Sequence, residues 1–389
     1  MDKNIIFHIP WELKNRQFSA TAIRPRKMMH AFLQLGYRAD IVWGDAVERK
    51  ARIEEIKHKI ALGKRYQFVY SESSTAPTPF ANGIKDSLKG FDQDIRFLKF
   101  LHGKGIPIGL YYRDMYWMFP KADPEESFLR KMIFKPFYFR DLECYRRFVD
   151  IFFVQTEEMS RLLPRKGHDC VDLLPPGLEH PQHPVIDKDH KLTLFYSGGL
   201  NKAYDMDLVL ETLSSRKEVQ NYMCFRKHEW EMKKRYFRKA DLGGIKVLHA
   251  SADELPYYMN KSHIGLCYFK PEKARQYMLP VKIFHYMEYN LPILATEGTP
   301  TGDFVKNNNI GWSIPYNKQV FEGFIDSLLA NPEQIEEKIR NLAEIKRNHT
   351  WIERAKYTAL KLSEKRLPLN EIIEFPVTFD HTADPVLLQ

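Results

Sequence analysis

VKIFHYMEYNLPILATEGTPTGDFVKNNNIGWSIPYN, residues 281–317, decides the fold. Ile283, Phe284, Met287 and Leu291 recur at the spacing of one buried helical face, Asn290 stands where a helix stops, and Pro292 opens the short apolar run ILAT. The order is helix, tight turn, strand. A glycine-containing loop over residues 297–302 follows and leads into Asp303 and Phe304, so backbone amides near a helix start can face a bound anion. The periodicity by itself also fits an ordinary α/β unit.

Working back from this stretch, the same alternation begins at the strand LTLFYS (192–197) with its loop GGLNKAYD (198–205) and a helix over 206–213. NYMCF, a basic helix over 230–240, IKVLHA, a helix over 252–260 and IGLCYF complete the run. Two helical stretches follow, 318–330 and 332–348, and a final helix spans 351–366. The first half repeats this grammar. NIIFHI, a helix over 25–35, ADIVW, a helix over 47–62 and QFVYS come first. A helix over 91–102, IPIGLYY, a long basic and aromatic helix over 125–149, DIFFVQ, a helix over 157–163 and CVDLLPPG follow. Two doubly wound parallel sheets in tandem are implied. Pro175, Pro176, Gly177 and the polar run EHPQHPVIDKDHK read as the linker. The expected units are 1–180, 181–350, and a terminal helix and tail over 351–389 that crosses back to the first.

A chain of 389 residues exceeds one typical core, and 44% hydrophobic residues suffice for two. No apolar run approaches the roughly 18 residues that span a bilayer. MDKNIIFHIP lacks the apolar region of a secretory signal. Cys144, Cys170, Cys224 and Cys267 lie far apart beside apolar residues, which favours buried free thiols over disulfides or a metal site, and a reducing cytoplasm. A formal charge of +9 calls for an anionic partner. With no zinc-ligand spacing, RNP-type motif or long basic block, phosphate or a membrane surface is favoured over nucleic acid.

LLPPG, LFYSGGL, KIFHYMEYNLPIL, GDFVKNNNIGW and NHTWIERAKYTAL, in this order, resemble the landmarks of GT-B fold glycosyltransferases, most of all the retaining family 4 that builds bacterial polysaccharides and glycolipids. The resemblance covers most of residues 1–366. It implies two Rossmann-like domains with a cleft between them, a nucleotide-sugar donor on the second and a lipid-linked or oligosaccharide acceptor on the first. It further implies transfer with retention and neither metal nor cofactor; the expected location is cytoplasmic, or peripheral on the inner face of the cell membrane. Donor contacts assigned on this basis are Gly198, Gly199, Lys227, Lys282, His285, Glu288, Glu297 and Thr299.

Two departures from the pattern matter. Family members carry a pair of glutamates, the second holding the ribose, where this chain has Tyr277 and His285; Glu288, one turn on, is the acidic substitute within reach. The family's diphosphate lysine falls at about Tyr204 and Asp205, leaving Lys202 and Arg226 as the cations for the leaving group, although cations at sheet edges are often plain surface charges.

On the acceptor side, the loop RDMYWMFP after IPIGLYY offers Arg113, Asp114, Tyr116 and Trp117: a carboxylate to orient a hydroxyl, and rings to stack on a sugar. A turn cap with core aromatics is the alternative. Arg24 and Arg26 flank Pro25 at a predicted helix start, where a donor diphosphate or a lipid pyrophosphate would compensate them, unless Glu12 does. Catalysis would rest on Asp114, Arg226 and Lys202. FLRKMIFKPFYFRDLECYRRF (128–148), kinked or split at Pro136, reads equally as a bilayer-facing helix and as one packed on its own sheet. Besides an active transferase, the missing acidic pair leaves open a catalytically silent GT-B adaptor or a nucleotide-sugar epimerase.

Overall fold

The computed structural model describes residues 3–13, 20–119, 128–163, 170–181, 188–200, 204–237, 242–272 and 276–365. The chain divides into two compact units, one holding the residues up to Pro175 together with the chain from Trp351, the other Pro176–Thr350.

In the first unit, β1 (Asn4–His8), β2 (Arg38–Val42), β3 (Val69–Glu72), β4 (Ile108–Tyr111), β5 (Ile151–Val154) and β6 (Val171–Leu173) form a parallel sheet in the order β2-β1-β3-β4-β5-β6. All residues of β1, β3, β4 and β5 are buried, which is why NIIFH and IFFV read as continuous apolar runs. The crossovers are α1 (Ala20–Gln34), α2 (Ala46–Ala61), α3 (Ile84–Gly90), α4 (Gln93–Gly103), α5 (Phe128–Phe148) and α6 (Glu157–Leu162). Asp45 starts α2 through a capping box: its carboxylate accepts the Val47 and Glu48 amides at 2.9 Å, and Glu48 accepts the Asp45 amide at 3.0 Å.

In the second unit, β7 (Thr193–Gly198), β8 (Gln220–Phe225), β9 (Ile245–Leu248), β10 (Ile264–Cys267), β11 (Ile293–Thr296) and β12 (Gly311–Ile314) run in the order β12-β11-β10-β7-β8-β9, all parallel. This is the strand order of dinucleotide-binding sheets, whose winding reverses between the first and fourth strands, here β7 and β10. Around it lie α7 (Asp207–Ser214), α8 (Lys227–Phe237), α9 (Leu255–Lys261), α10 (Val281–Glu288), α11 (Pro300–Asn307), α12 (Lys318–Ala330) and α13 (Glu333–Ile345). Gly265 in β10 lets Tyr286 of α10 lie flat on the sheet, since a Cβ there would meet the ring at 2.4 Å. The Tyr286 hydroxyl in turn accepts the Ser197 amide at 3.3 Å, fixing α10 to the end of β7. Asn290 ends this helix in the left-handed region at φ 54° and accepts Lys346 Nζ at 2.6 Å.

The last helix, α14 (Trp351–Glu364), belongs to the first unit and buries Trp351, Ala355, Ala359 and Leu362 in its core. Several elements differ from their sequence-based bounds. The helix expected over 25–35 begins at Ala20, so Pro25 lies inside it and Arg24 is not at a helix start. The helix expected over 91–102 is α4, and α3 before it was not expected because its apolar residues face solvent. α5 runs through Pro136 as one helix. All four cysteines are free; Cys224 and Cys267 are buried, whereas Cys144 and Cys170 are half-buried.

Candidate functional site

Ligands of open parallel sheets bind beyond the carboxyl ends of the strands, where the winding reverses. In the second unit this point lies between β7 and β10, and four elements meet there. β7 ends at Gly198, whose φ of 153° suits glycine. A Cβ at 198 would fall 2.6 Å from Lys282 Nζ and 2.9 Å from the Tyr196 hydroxyl, so glycine is what lets the ammonium reach the strand end. Lys282, in the first turn of α10, holds its Nζ 4.1 Å from the centre of the Tyr196 ring, 5.0 Å from Tyr204 and 5.9 Å from Phe269. Three ring faces thus surround a shielded cation beside a helix N-terminus. The Tyr196 hydroxyl donates to the Gly199 carbonyl at 2.7 Å and sets the glycine loop.

Glu229 of α8, a buried carboxylate that the sequence did not flag, holds this loop from below. It accepts the Leu200 amide at 2.8 Å and pairs with Arg226 at 3.2 Å. Arg226 follows β8 and keeps a side-chain exposure of 64%. Lys227, beside it, opens α8 and is exposed. Lys202 lies outside the described residues.

The remaining donor-side candidates fall into different roles. Glu288 is 6% exposed and accepts the Glu179 amide at 3.1 Å, with Lys346 close enough to feel its charge. That places its carboxylate on the chain entering the second unit, contrary to the expectation that it reaches outward for a ribose. His285, one turn earlier, is half-buried and the more open of the two. Tyr277 is 1% exposed. Thr299 is the N-cap of α11: its hydroxyl accepts the Gly302 amide at 3.0 Å and donates to the Thr296 carbonyl at 2.6 Å, a local task rather than an open donor contact. Glu297, after β11, is exposed and anchored by its own amide to Ile314 at 2.9 Å.

In the first unit the winding reverses between β1 and β3, and a charged cluster is buried there. Glu72, the last residue of β3, is fully buried. It accepts Arg113 Nη2 at 2.6 Å and the Tyr70 hydroxyl at 2.9 Å, and pairs with Arg24 at 3.7 Å. The Arg24 guanidinium carbon lies over the Tyr111 ring, 3.4 Å from its centre, and the residue is 2% exposed. It is therefore a core cation and not the helix-start anion receptor expected from the sequence. The reason is the position of α1, whose early start turns this residue toward the sheet. Arg26 is half-buried and engaged with other groups.

Arg113 donates its Nε to the Ser73 carbonyl at 3.2 Å and sits over the Trp11 ring at 5.3 Å. The next residue, Asp114, is 7% exposed with one carboxylate oxygen, Oδ1, lacking a hydrogen-bond partner. Burial pushes its carboxyl up to about 6, against the opposing pull of Thr75, Arg113 and the Tyr116 amide. Trp117 stacks on Tyr138 of α5 at 5.0 Å and donates its indole N–H to Tyr112 at 3.2 Å. Its face is thus taken by α5 rather than open to a sugar. Tyr116 stays half-buried beside it.

A Ser71–His8–Asp94 chain also occurs, with His8 Nδ1 2.8 Å from the Ser71 hydroxyl and Nε2 3.1 Å from Asp94. All three are nearly solvent-free, and Asp94 is neutralised by Arg49 at 3.1 Å, so this network welds β1, α2 and α4 together and has no access for a substrate. Among the described residues, no group of three His, Cys, Asp or Glu is placed to hold a metal ion, and no helix is long and apolar enough to cross a membrane.

No protein-family model matches the chain, and no curated protein matches it. Solved structures do. HepE of Anabaena in complex with UDP aligns with a TM-score of 0.63 at 11% identity, covering 93% of this chain and 100% of that one. Sucrose-phosphate synthase from Thermosynechococcus elongatus aligns with a TM-score of 0.62 at 11% identity over 93% and 98%. WaaG, a glycosyltransferase involved in lipopolysaccharide biosynthesis, aligns with a TM-score of 0.59 at 11% identity over 92% and 99%. The fold is thus the two-unit, Rossmann-like GT-B fold of these enzymes.

Proposed function

We propose that this chain is a glycosyltransferase that moves a sugar from a nucleotide-sugar donor to a lipid-linked or oligosaccharide acceptor in bacterial surface-glycan synthesis. The observation that carries the reading is the Lys282 ammonium, held among Tyr196, Tyr204 and Phe269 beside Gly198, at the winding reversal of the second sheet. A fixed cation next to glycine amides and the first turn of α10 suits a diphosphate, because charge-assisted hydrogen bonds from a preorganised donor stabilise the charge that grows on it as the sugar leaves. Arg226 and Lys227 supply further positive charge from the end of β8, and Glu297, exposed after β11, is the candidate for sugar hydroxyls. Uridine is the base to try first, since HepE is described with UDP and with UDP-glucose.

On the acceptor side, Asp114 orients the attacking hydroxyl through its unpartnered Oδ1 while the leaving phosphate takes the proton, and the Glu72–Arg113 pair holds the loop that carries it. This arrangement accords with the retaining, metal-independent chemistry of family 4. A second reading, a catalytically silent GT-B adaptor, is favoured by one observation: Tyr277 and His285 stand at the places of the family's acidic pair, and Glu288 is turned to the Glu179 amide.

The test is a thermal-shift screen of the full chain with UDP, GDP, dTDP, CMP and their sugar conjugates, with Lys282→Met as control. A selective rise in melting temperature, lost in the variant and accompanied by slow sugar-nucleotide hydrolysis, supports the transferase. A rise without hydrolysis or transfer to any acceptor favours the adaptor, and no rise with any nucleotide rejects a donor site.

A further inference from the structure

Unit 1 carries an apolar surface that its own core does not use. In α3, Leu88 is 86% and Ile84 65% exposed, a large cost in water for a helix of this length. Phe91, which follows α3, is also exposed and meets Phe137 of α5 edge-on at 5.8 Å, so the surface continues onto α5, where Met132, Ile133 and Phe139 face solvent. Phe80 supports it from beneath, stacked on Phe134 at 4.8 Å and edge-on to Phe91 at 6.0 Å and Phe137 at 4.9 Å. The platform is rigid because its rings are interlocked.

The charges around it are sorted by sign. Lys85, Lys89, Arg96 and Lys99 on α3 and α4 and Lys135 on α5 are exposed. The acidic residues of α3 and α4 turn inward: Asp86 accepts the Ala46 amide at 2.7 Å and pairs with Arg49, and Asp94 pairs with Arg49 and His8; Asp92, before α4, pairs with Arg140, and the exposed Glu143 of α5 follows the apolar stretch and is paired with Arg146 and Arg147. Water therefore meets apolar side chains and cations on this face. That is the pattern of a helix lying in the headgroup layer of an anionic bilayer, with apolar tips in the acyl boundary and lysines on the phosphates. A protein partner of mixed charge would leave these cations unmatched.

We infer that the α3–Phe91–α5 face docks reversibly on a bilayer of anionic lipids, with α3 as its main contact. The inference does not depend on the donor-site reading, because it concerns lipid and no nucleotide. It differs from the sequence-based view, which looked to residues 128–148 alone and named no element over 84–90.

The experiment is co-sedimentation of the full chain with vesicles of phosphatidylcholine, and with vesicles in which phosphatidylglycerol replaces part of it. Two paired variants are compared with the parent, Ile84→Ser with Leu88→Ser and Lys85→Gln with Lys89→Gln; their side chains are exposed, so both should melt with the parent. The parent should bind the phosphatidylglycerol vesicles and leave the neutral ones. Loss of two lysines should weaken that binding by roughly twentyfold, at about fivefold for each. Loss of the two apolar side chains should weaken it by at least about tenfold. Equal binding by the parent and both variants, or no binding to either vesicle, overturns the proposal. Velocity sedimentation separates the remaining occupant: a dimer that the Ile84→Ser, Leu88→Ser variant dissociates, without vesicle binding, would make the face a self-association surface and also overturn it.

Discussion

Lys282 Nζ stands 4.1 Å from the centre of the Tyr196 ring, at the one strand end of the second sheet where residue 198 has no side chain to block it. The lysine comes from α10 and the tyrosine from β7, so the contact ties the helix that begins the 281–317 stretch to the first strand of its unit. Because a Cβ at 198 would come within 2.6 Å of the ammonium, Gly198→Ala should push Lys282 out of its cage. Nucleotide affinity, measured by titration calorimetry, should fall roughly 10- to 100-fold in Lys282→Met, the worth of one charge-assisted hydrogen bond to a phosphate, and by less in Gly198→Ala. Unchanged affinity in both would remove Lys282 from the site.

Asp114 predicts a pH dependence. Burial disfavours the charge and pushes its carboxyl up to about 6, from the ordinary 3.8 of an aspartate. The folded state therefore binds the proton more tightly than the unfolded chain. The stability this contributes is complete below pH 3.8 and is lost as pH rises through about 6. Asp114→Asn, which cannot ionise, should match the parent at pH 4 and exceed it at pH 8 by on the order of 2 kcal/mol, read from urea melts. If Asp114 orients the acceptor as a carboxylate, parental transfer activity should rise through about pH 6, and the variant should lose that limb. A stability gap that is constant with pH would mean that Asp114 is charged throughout.

The elements that hydrophobic periodicity marks were legible: both alternating series, the stop at Asn290 and the parallel character of the sheets follow from where Ile, Phe, Leu and Tyr recur. Strand order was not, because β2-β1-β3 against β10-β7-β8 is settled by which helices cover which face, not by any one segment. The charged centres were missed for the same reason. Glu72 ends the run QFVYSE as one acid after a strand, and nothing local shows that α1 and the loop after β4 bring it Arg24 and Arg113. Pro25 misled in a specific way. Proline favours first turns, so it was taken for the start of α1, whereas Ala20 starts it and Arg24 turns inward. The Trp117 ring was expected to await a sugar, yet Tyr138, some twenty residues on along the chain, lies against it at 5.0 Å.

Glu72 should be worth more to folding than any exposed ion pair of the chain. Two arginines share its buried carboxylate, so Glu72→Gln removes the charge that both pair with in a nearly dry site. Removing one partner of a buried ionic group costs about 3–5 kcal/mol. Adding Arg24→Met to Glu72→Gln should recover part of that loss, because it withdraws one of the stranded cations; a double-mutant cycle reads the coupling. Strict additivity would show that Arg24 and Glu72 do not sense each other, and that the 3.7 Å approach has no energetic consequence.

Glu229 separates support of the glycine loop from direct contact with the donor. Its carboxylate accepts the Leu200 amide and pairs with Arg226, but only Arg226 reaches solvent, with 64% of its side chain exposed. An exposed partner contributes little to folding, so Arg226→Ala should change stability by less than about 0.5 kcal/mol. Its nucleotide affinity should nonetheless drop, because the guanidinium is free to turn from Glu229 to a phosphate. Glu229→Gln should lower stability by about 1–2 kcal/mol, since a charged acceptor for a buried amide becomes a neutral one. It should also weaken nucleotide binding, through a loop less firmly held below Gly198 and Gly199. Paired urea melts and calorimetric titrations of the two variants distinguish these roles. If Arg226→Ala destabilises as much as Glu229→Gln while binding nucleotide like the parent, then Arg226 serves the fold, and the cation for the leaving diphosphate is Lys282 without it.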